Sequence, residues 1–547
     1  MSDSEATATQ HPRFVLDEDK PLSQSVLWEI QRTFFDRQGI EAWSTHTVPH
    51  YITNNPFIAG AYARVVAGFL QDWAAASPPA LERSQPLYII ELGTGAGRFS
   101  YLFLKQFLKL TPRPALPFTY VMTDFAEHNV RYWQHHPALQ PFVEKGLLDF
   151  ARFDLEQAPE LTLIHSGARL AANTVKNPVV VLANYFFACL PQDIFWVGKG
   201  ELYESRPVIS SAQPEPDLSD PELLSRLRLI YKNLPITPDY YDDPAYNQIL
   251  RVYHQELTGT AIRLPVGALG YCRLFQALSQ GRLLLLLGDK GYGHKDGLSN
   301  QGPPGYSIHG GSFSMNVDLN AIGEYFRYLG GEMLLTTHHA AMLNVVAYLL
   351  GNPPANYAAT RRAYKEAIER FGPDDFFMTK QSLEQRYEQL SIAQLLALLK
   401  LGNWDPRIMA QTLHVFMKQV ASATVWQKQE IYRAIEQVWG LYYDIGERYD
   451  FAFHLALLLF KMKYYPEAAT YFQRSLAQQG ADPATYYNLA LCHQNLRQLD
   501  EALRYARQTL TLNPAHESAR AMVLQLQAER QLWPPKAAAN LGSDAVD

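Results

Sequence analysis

The feature that most constrains this chain is a turn. Leu87-Tyr88-Ile89-Ile90-Glu91-Leu92 is a short apolar run, and Gly93-Thr94-Gly95-Ala96-Gly97 ends it at once. A helical pattern, Phe99 to Leu110, follows. Strand, tight loop and helix in that order form the unit from which parallel sheets grow, because a parallel neighbour needs a crossover. Further apolar runs repeat the theme. Phe118 to Thr123 ends at Asp124, Leu147 to Phe153 at Asp154, Val179 to Leu182 at Ala183-Asn184, and Leu283 to Leu287 at Gly288-Asp289. A late run covers Met333 to Thr337. Buried-type strands with polar residues at their carboxyl ends predict a mostly parallel sheet, covered on both faces by helices.

The loop has a chemistry of its own. Alternating glycines let a backbone turn sharply and approach a ligand without side-chain collision. The helix start presents unpaired N–H groups that suit a carboxylate. A nicotinamide fingerprint would need glycine where Arg98 stands, and no P-loop pattern occurs. Glu91 precedes the first glycine by two residues and suits a cationic amino group or a bound water. Asp124 suits a pair of ribose hydroxyls, or else caps the next helix with Glu127 three residues on. Asp154 suits an adenine amino group, with Leu155 beside the ring. An ordinary glycine-rich strand-to-helix turn remains the plainer alternative.

The 547 residues exceed one core. The charged fraction is 19% and the formal net charge is -6, which argues against a broad basic surface and hence against nucleic acid as a partner. Cys189, Cys272 and Cys492 lie far apart, as expected in a reducing compartment. No leader pattern opens the sequence, and the runs Leu283–Leu287 and Leu455–Phe460 are too short for a bilayer. The expectation is a cytoplasmic protein without a membrane partner. His46 and His50 are four apart but lack an HExxH context, and His338-His339 are adjacent. They read as surface or capping histidines, and no metal site is predicted.

Residues 1–20 read as a flexible tail and 532–547 as a disordered one, with a connection at Ser77 to Gln85. A long insertion, about 207–262, is rich in Pro, Asp and Tyr and then helical. A second irregular stretch runs from Tyr292 to Phe313, and segments of that length often carry function. Residues 351–445 form a helical linker or substrate region. From there to 531 the spacing is repetitive. Ala468 and Ala502 lie 34 residues apart. Tyr486, Leu489, Ala490, Ala502, Ala506 and Pro514, and before them Ala456, Ala468 and Phe472, fit tetratricopeptide repeats, in which small residues sit where two helices cross. A capping helix from His516 to about Arg530 closes the array. Such repeats bind a protein or peptide partner. A homodimer is left open.

On these motifs the chain resembles class I S-adenosylmethionine-dependent methyltransferases. It is similar to the branch that includes the mitochondrial complex I assembly-factor arginine methyltransferase and its bacterial relatives. Four segments carry the likeness: Tyr51 to Phe57, Glu91 to Gly97, Ala183 to Pro191, and Gly288 to Gly293 with Asn316 to Leu319. It spans roughly residues 20 to 340. The resemblance implies a Rossmann-like methyltransferase domain over 21–350, followed by the all-α repeats, and S-adenosyl-L-methionine as cofactor. The cofactor contacts would be Glu91, Gly93, Thr94, Gly95, Gly97, Asp124, Asp154, Leu155 and Asn184. The chain departs from the branch in having Tyr185 where a glutamate is usual and Ala188 where an aspartate is usual. That removes two ways to orient a guanidinium.

Methyl transfer mainly needs an aligned acceptor and a path for a proton. Asn184, through its carbonyl, Tyr185 and Asp289 are the catalytic candidates. Phe186, Phe187, Tyr240, Tyr241, Asp242 and Asp318 are the candidates for substrate contact. The leading reading is methylation of a protein or peptide nitrogen, arginine first by resemblance, with the repeats recruiting the partner. Small-molecule or natural-product methylation and a non-catalytic cofactor-binding scaffold stay open.

Overall fold

A computed structural model describes residues 13–75, 81–111, 117–353 and 355–532. The connection around Pro78 and Pro79, the first twelve residues and the tail from 533 lie outside them. The chain forms two compact units. One comprises Met1–Gln381 with Tyr443–Ile445, and the other Ser382–Tyr442 with Gly446–Asp547. The helical stretch expected over 351–445 therefore divides between the two.

The first unit is built on seven strands. They are β1 (Leu87–Leu92), β2 (Phe118–Asp124), β3 (Leu148–Arg152), β4 (Val179–Asn184), β5 (Leu283–Asp289), β6 (Glu332–Leu334) and β7 (Asn344–Leu350). Their spatial order is β3-β2-β1-β4-β5-β7-β6. β1 to β5 run parallel, and β7 runs antiparallel to both β5 and β6. Every residue of β1 and β5 is buried, as expected of strands covered on both faces. β7 has no counterpart in the sequence reading. Its run Asn-Val-Val-Ala-Tyr-Leu-Leu lacks alternation, so its length alone cannot separate a strand from a buried helix.

Helices enclose this sheet. Pro56–Ala74 begins at Asn55, whose side chain accepts from the Phe57 and Ile58 N–H groups, with Pro56 in the first turn. Such a cap stabilises a helix by about 1 kcal/mol. Arg98–Leu110 follows β1 directly, and Glu127–His135 follows β2.

A second sheet corrects the reading of the insertion. Leu202–Ser211 pairs antiparallel with Arg228–Ile236 in a long hairpin, and also with Phe14–Asp17 and Asp193–Val197. Thr260–Leu264 closes the far edge. Arg228–Ile236 hides its strand character because most of it is exposed or half-buried, so polar residues interrupt the apolar signal. Phe14–Asp17, in a stretch expected to be a tail, is the edge strand.

In the second unit, Phe451–Lys461 pairs with Tyr465–Gln479 and Pro483–Asn495 with Leu499–Leu512, and Glu517–Leu532 follows. Ala456, Ala468, Ala490, Ala502 and Ala506 are fully buried, as is Phe472, as close helix crossings require. Among the described residues no helix is long and apolar enough to cross a membrane.

Candidate functional site

The strand order places a crevice. From β1 the chain moves outward to β2 and β3, then returns to β4 on the other side of β1. Ligands in open α/β sheets bind beyond the carboxyl ends of strands at such a reversal. A cavity opens there. It is lined by Glu91, Gly93, Thr94 and Gly95 after β1, Asn184 and Tyr185 after β4, and Asp289 and Lys290 after β5. Trp43 and His50 from the N-terminal segment, and His309 and Phe313 from a short hairpin, complete it.

The glycine turn is obligatory. Gly93 and Gly95 both have φ of +58°. A Cβ at Gly95 would lie 2.8 Å from the Trp43 ring, and one at Gly93 would lie 2.4 Å from Phe186. The loop is anchored from behind. Gly95 N–H donates to Asp124 Oδ2 at 3.2 Å, and Trp133 Nε1 donates to the Gly95 carbonyl at 2.8 Å. Arg98, at the position a nicotinamide fingerprint gives to glycine, donates to the Tyr443 carbonyl at 3.1 and 3.2 Å.

Two buried carboxyls face the cavity. Glu91 accepts from the Ser100 hydroxyl and, at 2.8 Å, from the Tyr120 hydroxyl. Burial outweighs these bonds and pushes its pKa up to about 7. Asp289 accepts from the N–H of Ala188 at 3.0 Å and of Lys290 at 2.9 Å. Burial likewise pushes it up to about 7. Between them, Asn184 Oδ1 accepts from Tyr62 O–H at 2.8 Å, and its Nδ2 is buried without a partner. The amide therefore presents a donor, and the carbonyl expected to align an acceptor is already engaged. Tyr185 has φ of +49°, a strained value for a side-chain-bearing residue, and its N–H donates to the Gly288 carbonyl at 2.8 Å. Its phenol is raised by burial first and by Asp289 second, so it stays protonated.

Other sequence candidates lie elsewhere. Gly97, φ +83°, starts the Arg98–Leu110 helix behind the turn. Asp124 is buried and takes the N–H of Gly95 and Ala126 and the Asn129 amide. Asp154 is ion-paired with Arg32, and Leu155 packs on the core. Phe186 covers Gly93 and meets Tyr271 edge-on, while Phe187 is fully buried. The Tyr240 and Tyr241 rings pack on Phe195, and the Tyr241 hydroxyl donates to Asp193 at 2.7 Å. Asp242 is exposed. Asp318 is fully buried and caps the Leu319–Tyr328 helix, accepting from Ala321 N–H at 2.9 Å and Tyr253 O–H at 3.0 Å. It does not line the cavity at the glycine turn.

Several cavity residues carry no sequence signal. His50, expected to be a surface or capping histidine, is buried and lines the cavity. Trp43 belongs to no motif, and Lys290 sits inside the Gly288–Gly293 segment without a role of its own there. The irregular stretch ending at Phe313 is the one pointer to His309 and Phe313. It holds the hairpin Ser307–His309 and Ser312–Ser314, pinned by the Gln31 amide to both the N–H and the carbonyl of Phe313 at 2.8 and 2.7 Å. Among the described residues no group of three or more His, Cys, Asp or Glu side chains is placed to hold a metal ion.

Residues 483–516 match the tetratricopeptide-repeat family model. No curated protein matches the sequence. Among solved structures, an uncharacterized superfamily protein from Burkholderia thailandensis shares 13% identity, covering 62% of this chain and 90% of its own, with a TM-score of 0.38. A second from the same organism, a candidate methyl transferase bound to S-adenosyl-homocysteine, has the same identity and coverage and a TM-score of 0.39. MamA from Desulfovibrio magneticus RS-1 shares 15% identity over 29% of this chain and 94% of its own, with a TM-score of 0.20.

Proposed function

We propose that the first unit is an S-adenosylmethionine-dependent methyltransferase and that the repeats recruit a protein or peptide acceptor to it. The observation that carries this reading is a glycine turn at positive φ at the sheet's reversal point, opening into the same cavity as a buried carboxyl and an amide donor. That donor set fits an amino-acid end linked to a nucleoside. The Gly93–Gly95 backbone would seat the carboxylate, and Glu91 would pair with the ammonium. Asn184 Nδ2 would donate toward the ligand, and Asp124 would hold the turn in shape. The cofactor supplies an electrophilic methyl group when bound.

The chain's own task is placement. Trp43, Tyr185 and Phe313 wall the cavity with aromatic surface, which excludes water and limits the acceptor's approach. Tyr185, kept protonated, offers a neutral hydroxyl at the strained end of β4. The Cys189 thiol, pushed up to about 12 by burial and by Asp289, stays protonated and serves as packing. An arginine acceptor follows from the resemblance alone, and Tyr185 and Ala188 stand where the orienting acids would be.

Titration calorimetry of the full chain with S-adenosylhomocysteine tests the reading. Binding that Gly95→Val abolishes supports it, and no binding by the unaltered chain overturns it. Transfer of labelled methyl to a captured partner supports catalysis. Binding without any transfer favours the scaffold alternative.

A further inference from the structure

The cavity wall at the end of β5 is basic. Lys290 is half-buried there, with Nζ 5.8 Å from the centre of the Tyr185 ring, and its ammonium ion-pairs with no carboxylate among the described residues. His309 lines the same cavity and shares a hydrogen bond of 3.0 Å with the Ser314 hydroxyl. The histidine is held below its ordinary pKa by burial and then by Lys290, so the two bases sense each other. Burial pushes Asp289 up to about 7 despite the Lys290 charge it feels, so it is only partly ionised at neutral pH, and it forms no ion pair with either base among the described residues. The Lys290 ammonium, with a neutral His309 imidazole beside it and no carboxylate ion-paired to either, leaves a favourable place for an anion.

That anion is not the one the glycine turn would hold. The turn ends β1 and Lys290 follows β5, with β4 between them. Two interstrand spacings separate the strands by roughly 10 Å. The wall between is aromatic, with Tyr185 and Phe313 facing the cavity.

We propose that the acceptor admitted to this cavity carries a carboxylate or an equivalent anionic group, seated by Lys290 and His309, beside a planar apolar body packed against Tyr185 and Phe313. Calling that molecule an acceptor rests on the methyltransferase reading; the anion site itself does not. A guanidinium would face the Lys290 ammonium and is disfavoured there.

The test uses the full chain and probes of one shape and three charges: benzoate, benzamide and benzylammonium, titrated with and without saturating S-adenosylhomocysteine. Benzoate is expected to bind more tightly than either of the others. Lys290→Met, which keeps the aliphatic stem, should weaken benzoate about tenfold, the usual cost of losing one charge-assisted hydrogen bond. It should leave S-adenosylhomocysteine affinity and the melting temperature unchanged. If that variant does not fold, His309→Gln gives the same comparison. A short peptide with a free C-terminus, against its amide, separates a peptide source of the carboxylate from a small acid. Tighter binding of either acid supports the proposal. Preference for benzamide or benzylammonium, or no binding by any probe, overturns it. Equal loss of S-adenosylhomocysteine affinity in Lys290→Met overturns it too, since the anion would then be the cofactor's own. Lys290-dependent benzoate binding in a chain that ignores S-adenosylhomocysteine keeps the anion site and rejects the methyltransferase reading.

Discussion

Glu91 and Asp289 face one cavity from the ends of two parallel strands, and burial pushes both up to about 7. They differ in what holds them. Glu91 is held by two hydroxyls, Ser100 and Tyr120, which can reorient as its charge changes. Asp289 is held by two backbone N–H groups, one of them at Ala188 in the turn that carries Tyr185. On the proposed function, the first answers a ligand and the second builds the wall that the ligand meets. Similar pKa values at the two sites thus share one cause, burial, and only the hydrogen-bond partners tell the two carboxyls apart.

The largest expected effect bears on the Glu91 side. Gly95→Val places a β-branched residue at φ +58° and drives its Cβ to within 2.8 Å of Trp43. Calorimetry with S-adenosylhomocysteine should show affinity lowered at least about a hundredfold, since backbone strain and the clash each cost on the order of 1–3 kcal/mol. Lys290-dependent benzoate binding should survive, because that wall belongs to another strand. Loss of both together would erase the distinction between the two sides.

Next comes Asp289→Ala. It leaves two buried N–H groups without an acceptor, at a cost of about 2–4 kcal/mol, seen as a lower denaturation midpoint. Glu91→Gln removes a charge but keeps hydrogen-bonding atoms. It should leave the midpoint nearly unchanged while weakening S-adenosylhomocysteine about tenfold. A large stability loss in Glu91→Gln, with none in Asp289→Ala, would exchange the roles of the two carboxyls.

Titration sharpens the same contrast. Both carboxyls have folded pKa values raised to about 7 from an unfolded range of roughly 4. Between those values the folded chain binds more protons than the unfolded one. Their contribution to stability is therefore complete below about pH 4 and is lost as pH rises through about 7. Ligand affinity should run the opposite way, because an ammonium pairs only with ionised Glu91. S-adenosylhomocysteine should bind a few-fold more tightly at pH 8 than at pH 6, and Glu91→Gln should flatten that slope. A slope that persists in the variant would move the titration to another group.

The main sheet was largely legible because most of its parallel strands are apolar runs closed by Gly, Asp or Asn, and the positive φ values at 93 and 95 favour glycine. The repeats were legible because close helix crossings demand small residues at a fixed interval. The second sheet was not, since Arg228–Ile236 shows most of its residues to solvent and Phe14–Asp17 is a four-residue edge. In the cavity, Asn184, Tyr185 and Asp289 stood at strand ends and could be found. Trp43, His50 and His309 arrive from segments distant in sequence, and nothing local marks them. Asp154 and Asp318 share one ambiguity: an acid after a strand or at a helix start also serves as an ion-pair partner or a helix cap, as these two do, and position alone does not separate these tasks from ligand contact.

The smallest effect tests the amide that lies between the two carboxyls. Tyr62 is fully buried, and its hydroxyl donates to Asn184 Oδ1 at 2.8 Å, which leaves Nδ2 as the amide's unpartnered donor. Tyr62→Phe removes that constraint and strands a buried carbonyl, at a cost of about 1 kcal/mol in stability. The amide can then turn its oxygen to the cavity. If Nδ2 contributes a hydrogen bond to the ligand, S-adenosylhomocysteine affinity should fall by about threefold, and Asn184→Asp, which replaces the donor with an acceptor, should lower it further. An unchanged affinity in Tyr62→Phe, with an undisturbed fold, would mean that Asn184 only spaces β4 from β5 and that ligand discrimination rests on the two strand-end carboxyls and Lys290.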